Sequence, residues 1–159
     1  MTQPSPDHPP ATPYRYTHHM GFGDCDPAGI AYTGALVNAA LRALDRFLSD
    51  ATAGRGWYAM SMQLGAGMPF VHLDVDFTAP VRGDADLDFT VEVTRLGGTS
   101  MGFRATGWQR GARCLSLSSV NVFIARGEGK QPLPDWLRAA LAPFLVPAEP
   151  GLAGQGRNR

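Results

Sequence analysis

The sequence carries no surplus charge: fourteen Lys and Arg residues balance fourteen Asp and Glu. That argues against a broad nucleic-acid or membrane-surface footprint and leaves room for a local basic patch on a phosphorylated ligand. Cysteine is scarce. Cys25 and Cys114 lie far apart without metal-ligand spacing, and His8, His18, His19 and His72 form no HExxH pattern. No metal site is expected, and a reducing cytoplasm is the simplest setting. An apolar leader and a long apolar span are both missing, so neither a signal peptide nor a membrane helix is expected.

What is present suits one globular domain with a real core: 159 residues, 44% of them hydrophobic. Residues 1–13 hold five prolines and read as a tail, and residues 146–159, again rich in Pro and Gly, read as a second. The domain is expected over 14–145.

One stretch organises that domain. Gly21-Phe22-Gly23-Asp24-Cys25-Asp26-Pro27-Ala28-Gly29-Ile30 packs two carboxylates, a proline and glycines into an irregular segment. It opens into a helical pattern from about Thr33 to Ser49, with Leu36, Val37, Ala40, Leu41, Leu44, Phe47 and Leu48 on one face. A helix N-terminus has unpaired N–H groups and positive potential, so a carboxylate aimed there can do carbonyl chemistry. The plain reading of Asp24 and Asp26 is as turn and capping residues, which is what loop aspartates usually are.

After the helix, Trp57 to Leu64 reads as a short strand or an irregular wall. Trp57, Tyr58, Met60, Met62 and Met68 are candidates to line an apolar pocket, or simply core. A first strand is expected over Tyr14 to Met20. Two further runs alternate cleanly: Val71, Leu73, Val75 and Phe77 against polar neighbours, and Leu87, Phe89, Val91 and Val93 likewise. Pro80 to Asp84 is the turn between them. Thr99 to Gln109 and Ala112 to Ala125 follow as strands behind glycine turns, and Pro134 to Phe144 as a closing helix. An α+β fold follows: a hotdog arrangement in which an antiparallel β-sheet wraps around one long central helix, the element that must cover the apolar face.

Phe22 to Ile30 resembles the signature of the 4-hydroxybenzoyl-CoA thioesterase class of hotdog enzymes. Val75 to Asp84 and Arg95 to Ser100 resemble the same family's strand and turn patterns. The resemblance implies an acyl-CoA thioesterase acting on an aromatic (benzoyl-like) or medium acyl group. Coenzyme A then belongs to the substrate, and no cofactor is implied. Asp26 matches the family's catalytic carboxylate, as nucleophile or as general base for water. N–H groups around Tyr32, Thr33 and Gly34 would polarise the carbonyl. Asp24 would shape the loop, Cys25 would pack, and Pro27 and Gly29 would border the substrate. Leu41 falls where the 4-hydroxybenzoyl enzyme has an acid that reads the ring hydroxyl. Trp57 and His72 are further substrate-side candidates, although a solvated role suits His72 and a backbone-pairing role suits Asn121. Arg82, Arg95, Thr99 and Ser100 are candidates for the coenzyme's phosphates, with Arg104 and Arg110 as exposed alternatives. The family also implies a homodimer or homotetramer with sites shared between subunits.

Competing classes make different demands. A hotdog hydratase needs a histidine near the helix, and this helix has none. A non-catalytic acyl-CoA-binding module needs no placed acid. A thioesterase acting on an acyl carrier protein would use the same residues.

Overall fold

The computed structural model describes residues 12–147, so most of both expected tails lies outside the described residues. The elements in chain order are β1 (Tyr14–His18), α1 (Thr33–Ala51), α2 (Trp57–Leu64), β2 (Ala66–Gly67), β3 (Phe70–Phe77), β4 (Leu87–Leu96), β5 (Ser100–Gln109), β6 (Ala112–Val122), β7 (Ile124–Ala125), β8 (Gly129–Lys130) and α3 (Asp135–Leu141). Antiparallel pairing gives a five-stranded sheet in the order β1-β4-β5-β6-β3. The expected hotdog arrangement is observed.

Helix α1 runs two residues beyond its expected end. Its buried residues are Leu36, Ala39, Ala40, Ala43, Leu44, Phe47 and Leu48, spaced as one helical face. Three alanines on that face let the backbone lie close to the sheet. Larger groups take over at the C-terminal end. The Phe47 ring meets Tyr14, Phe103 and Phe144 at centroid distances of 5.3, 6.2 and 4.9 Å. The Tyr14 hydroxyl donates to Asp50 at 2.8 Å, and burial together with that carboxylate pushes the phenol above its usual range.

Beneath α1 the alternation of β4 becomes burial: Leu87, Phe89, Val91 and Val93 are at most 1% exposed. Met101, Phe103 and Ala105 of β5 join them. Strand β3 departs from the expectation. It sits at the sheet edge, and its apolar row stays open, with Val71, Leu73 and Phe77 60, 43 and 46% exposed. The helix lies over β1, β4 and β5, so one helix does not cover the whole face.

Two smaller corrections concern local structure. Trp57–Leu64 is a helix, entered at Gly56 and ended by Gly65 in the left-handed conformation at φ 58°. Its apolar residues run all round rather than along one stripe, which hid the period. The last expected strand breaks at Phe123, and Ile124–Ala125 turns away to pair with β2 and β8 in a second, three-stranded sheet. Helix α3 closes the core with Leu137 and Leu141, followed by the 3-10 turn Ala142–Phe144.

Candidate active site

The loop between β1 and α1 is held by its own carboxylates together with backbone hydrogen bonds. Asp24 ends a 3-10 turn and accepts the Gly21 N–H through Oδ2 at 2.8 Å, while its carbonyl accepts the Tyr32 N–H at 2.8 Å. Asp26 Oδ1 accepts two N–H groups, from Ala28 at 2.9 Å and Ile30 at 3.0 Å. Its own N–H donates to the Ile30 carbonyl at 2.9 Å. Gly29, at φ 75°, makes the turn that returns Ile30 to the carboxylate. Both readings of Asp26 thus meet in one side chain. Oδ1 does a turn residue's work, and Oδ2 has no partner among the described residues.

A strap lies against this loop. The Val81 carbonyl accepts the Ala31 N–H at 2.9 Å, and the Gly83 N–H donates to the Gly29 carbonyl at 3.2 Å. A Cβ at position 83 would lie 2.8 Å from the Cys25 sulfur, so a larger residue there would force that side chain to move. Cys25 therefore packs, as expected. The stretch Pro80 to Asp84, expected as a simple turn, is the template on which the loop is laid. Its Arg82 reaches a cavity of about 430 Å³ lined also by Phe22, Cys25, Asp26, Pro27 and Gly29. Arg110, 2.9 Å from Asp84, holds that exposed carboxyl below its usual range.

Helix α1 begins directly behind the loop, where Ala31 bridges to Cys25. The expected donor at Tyr32 is taken, because its N–H is bonded to Asp24. The Thr33 and Gly34 N–H groups have no partner among the described residues, and no side chain caps this end.

The remaining candidates separate into other places. Leu41 and Trp57 border a second groove of about 440 Å³ with Asn38, Arg42, Asp45 and Phe70. Met60 and Met68 are buried core, while Tyr58 and Met62 point outward at 79 and 63% exposure, so the expected apolar wall is split. His72 is exposed on the sheet face away from α1, opposite Val120, and belongs to neither cavity. Asn121 is fully buried and donates to the Met68 carbonyl at 2.9 Å, as its backbone-pairing reading expected. Arg95, Thr99 and Ser100 lie at the far end of β4 and its turn, roughly 30 Å of strand from the Asp26 end. Within one chain, the length of β4 separates them from the Asp26 end. Arg104 pairs with Glu92 at 2.9 Å. Among the described residues no group of three or more His, Cys, Asp or Glu could hold a metal ion.

Two contributors escaped the sequence reading. Phe22 is fully exposed at the mouth of the Asp26 cavity. Gln109, at the end of β5, is buried and bonded to the strap. Phe22 could have been noticed as a large apolar residue between two glycines; an isolated glutamine at a strand end gives no such signal.

Comparison with known proteins bears on the family and the fold. The family model described as "Thioesterase superfamily" matches residues 29–115. No curated protein matches the chain. A thioesterase superfamily structure from Jannaschia sp. CCS1 is 38% identical, with a TM-score of 0.80, covering 92% of this chain and 100% of that one. A 1,4-dihydroxy-2-naphthoyl-CoA thioesterase from Synechocystis superposes with a TM-score of 0.71 at 20% identity, over 80% of this chain and 94% of its own. A gentisyl-coenzyme A thioesterase does so at 0.69 and 21% identity, over 80% and 98%. Given a family match across more than half of the chain and a 38% identical relative over nearly all of it, the chain belongs to the thioesterase superfamily and is a thioester hydrolase of the hotdog fold.

Proposed function

We propose that this hydrolase cleaves an acyl-CoA thioester with an aromatic or medium acyl group, releasing the free acid and coenzyme A. One observation carries the reading. Asp26 is pinned through Oδ1 while Oδ2 is unpartnered, in a cavity that also holds Arg82, just ahead of a helix whose first N–H groups are open. Oδ2 attacks the thioester carbon, the developing oxyanion draws on the Thr33 and Gly34 N–H groups, and the thiolate departs to leave a mixed anhydride for water to open. As general base, Asp26 instead takes a proton from water, which attacks directly. Single turnover in ¹⁸O-labelled water separates the two where water opens the anhydride at the Asp26 carbonyl, which leaves label in that carboxylate, whereas the general-base route leaves it only in the product acid.

The two cavities and the open β3 edge support an assembly of at least two copies. A second chain would cover Val71, Leu73 and Phe77 and close the Leu41–Trp57 groove. It would also bring its own Arg95, Thr99 and Ser100 towards a coenzyme whose thioester lies at Asp26 and Arg82 of the first. Two such dimers make the expected tetramer. No cofactor beyond the substrate's coenzyme enters this scheme. Among the described residues no helix is long and apolar enough to cross a membrane, and two unpaired thiols suit the cytoplasm.

The two named coenzyme A thioesterases act on hydroxylated aromatic acyl groups, as their names state. Here Leu41 borders the groove, while its neighbours Ala39 and Ala40 are core. For an acyl ring that extends from Asp26 into this groove, a phenol hydroxyl left unpaired beside Leu41 costs about 1–3 kcal/mol, or roughly tenfold in specificity. The test is a panel of thioesters with free-thiol release. Benzoyl-CoA or phenylacetyl-CoA is expected to exceed 4-hydroxybenzoyl-CoA in kcat/KM by about tenfold. The reverse preference would transfer hydroxyl recognition to Asn38 or Asp45 and remove Leu41 from that role.

A further inference from the structure

We propose that Gln109 is a positioning residue for Asp26, on the reading above that Asp26 is the reacting carboxylate. Gln109 ends the row Met101, Phe103, Ala105, Gly107 on the helix-facing side of β5, where every other member is apolar or glycine. It is 6% exposed. A buried primary amide must spend its donors and acceptor or leave a polar group stranded. Gln109 spends them all on one target. Its Oε1 accepts the Arg82 N–H at 2.9 Å, and its Nε2 donates to the carbonyls of Arg82 at 2.8 Å and Ala85 at 2.9 Å. The side chain thus imitates a neighbouring strand, closing a two-bond ring on the Arg82 backbone.

Alternation along the strap carries this hold to the loop. Arg82 presents its backbone groups to Gln109, while Val81 and Gly83 on either side present theirs to Ala31 and Gly29. Ile30, between those two, bridges to Arg82 and supplies an N–H to Asp26 Oδ1 at 3.0 Å. The route is continuous: the Gln109 amide, the Arg82 backbone, the Gly29–Ala31 segment, then the carboxylate. Gln109 does not line the Asp26 cavity. It fixes the strap, and the strap fixes the loop that aims Asp26.

The test uses benzoyl-CoA and phenylacetyl-CoA hydrolysis in Gln109→Leu, which deletes all three bonds at similar bulk, and in Gln109→Asn, whose amide is one methylene short. Tyr14→Phe is the comparison, since it removes a buried bond at the other end of α1. Asp26→Asn is run alongside. The Gln109 variants are expected to lose about 10- to 100-fold in kcat, with KM changed less than about threefold, because a small misplacement of a reacting group falls mainly on the chemical step. Tyr14→Phe is expected to lower Tm yet keep kcat within about twofold. Amide exchange at Ala31 and Gly83, read without substrate, is expected to quicken by about tenfold or more in Gln109→Asn, as for opened local structure. A folded Gln109 variant with near-native kcat, or exchange at Ala31 and Gly83 unchanged, overturns the proposal. If Gln109→Leu does not fold, Gln109→Asn decides by the same two readings. If Asp26→Asn itself stays active, the reading of Asp26 fails, and the exchange measurement still decides whether Gln109 holds the loop.

Discussion

Strands β4 and β3 carry the same alternation of apolar and polar residues and end in opposite environments. In β4 the apolar row is at most 1% exposed; in β3 three of its four members face solvent at 43% or more. The difference is place in the sheet. β4 lies between β1 and β5 under α1, and β3 lies at an edge beyond the helix. Alternation therefore tells which face of a strand is apolar, while topology decides whether this chain covers it. The two cavities divide the same way. The Asp26 end is assembled from one chain's loop, strap and helix start, whereas the Leu41–Trp57 groove lies open beside the uncovered strand.

Substitutions can break or sharpen that contrast. The largest effect is expected at the self-contained end. Asp26→Asn should lower kcat by about 10²-fold or more with assembly unchanged, the scale of a lost general base or nucleophile. Asp24→Asn, which loosens the Gly21 bond only, should cost less. Steady-state thiol release checks both, and near-native turnover in folded Asp26→Asn would refute the assignment.

In the covered half, Phe89→Ala should destabilise by about 3–5 kcal/mol, as for a buried aromatic. Phe77→Ala, on the open row, should cost under about 1 kcal/mol in dilute protein, because little apolar area leaves the core. Urea unfolding measures both, and equal losses would erase the distinction between the strands. Leu73→Lys then asks what the open row is for. Sedimentation velocity is expected to show smaller species than wild type, with activity falling alongside; unaltered assembly would leave the β3 face without a partner in this protein.

The smallest effect concerns His18, at the end of β1. Burial holds its imidazole below the usual histidine range, against the opposing pull of the Asp24 charge. Below the usual value of 6.5 the unfolded chain therefore takes up a proton more readily than the folded one. Its contribution to stability is complete above about pH 6.5 and is lost as pH falls through the lowered folded value. His18→Gln should flatten the fall of Tm below that pH. An unchanged slope would remove His18 from the acid response.

Much of the molecule was legible in sequence because the signals are local. The α1 face, the β4 alternation and the loop around Asp26 each depend on residues close in the chain. What escaped depends on distant partners. Gln109 meets Arg82 across 27 positions, with nothing in the sequence near either to announce it. Arg95, Thr99 and Ser100 belong to the same family pattern as Asp26, and only the fold shows that the length of β4 lies between them within one chain. The Tyr32 N–H looked free because nothing in the local pattern shows that the Asp24 carbonyl turns back to meet it. Trp57–Leu64 hid its helical period under apolar residues on every side, although Gly56 and Gly65 mark its ends.

The alanine face of α1 has one mechanical consequence. Methyl groups give closeness but few teeth, so Ala39, Ala40 and Ala43 offer little resistance to sliding along the helix axis. Resistance comes from the rings packed around Phe47. The helix is thus held by rings at its far end and by the loop and strap at its start, with Thr33 about 20 Å from the rings. Slippage by a single residue would move Thr33 about 1.5 Å, more than the whole span of distances over which an N–H···O bond is made. The aromatic rings set the axial position of the far half of the helix, as the strap sets that of its start.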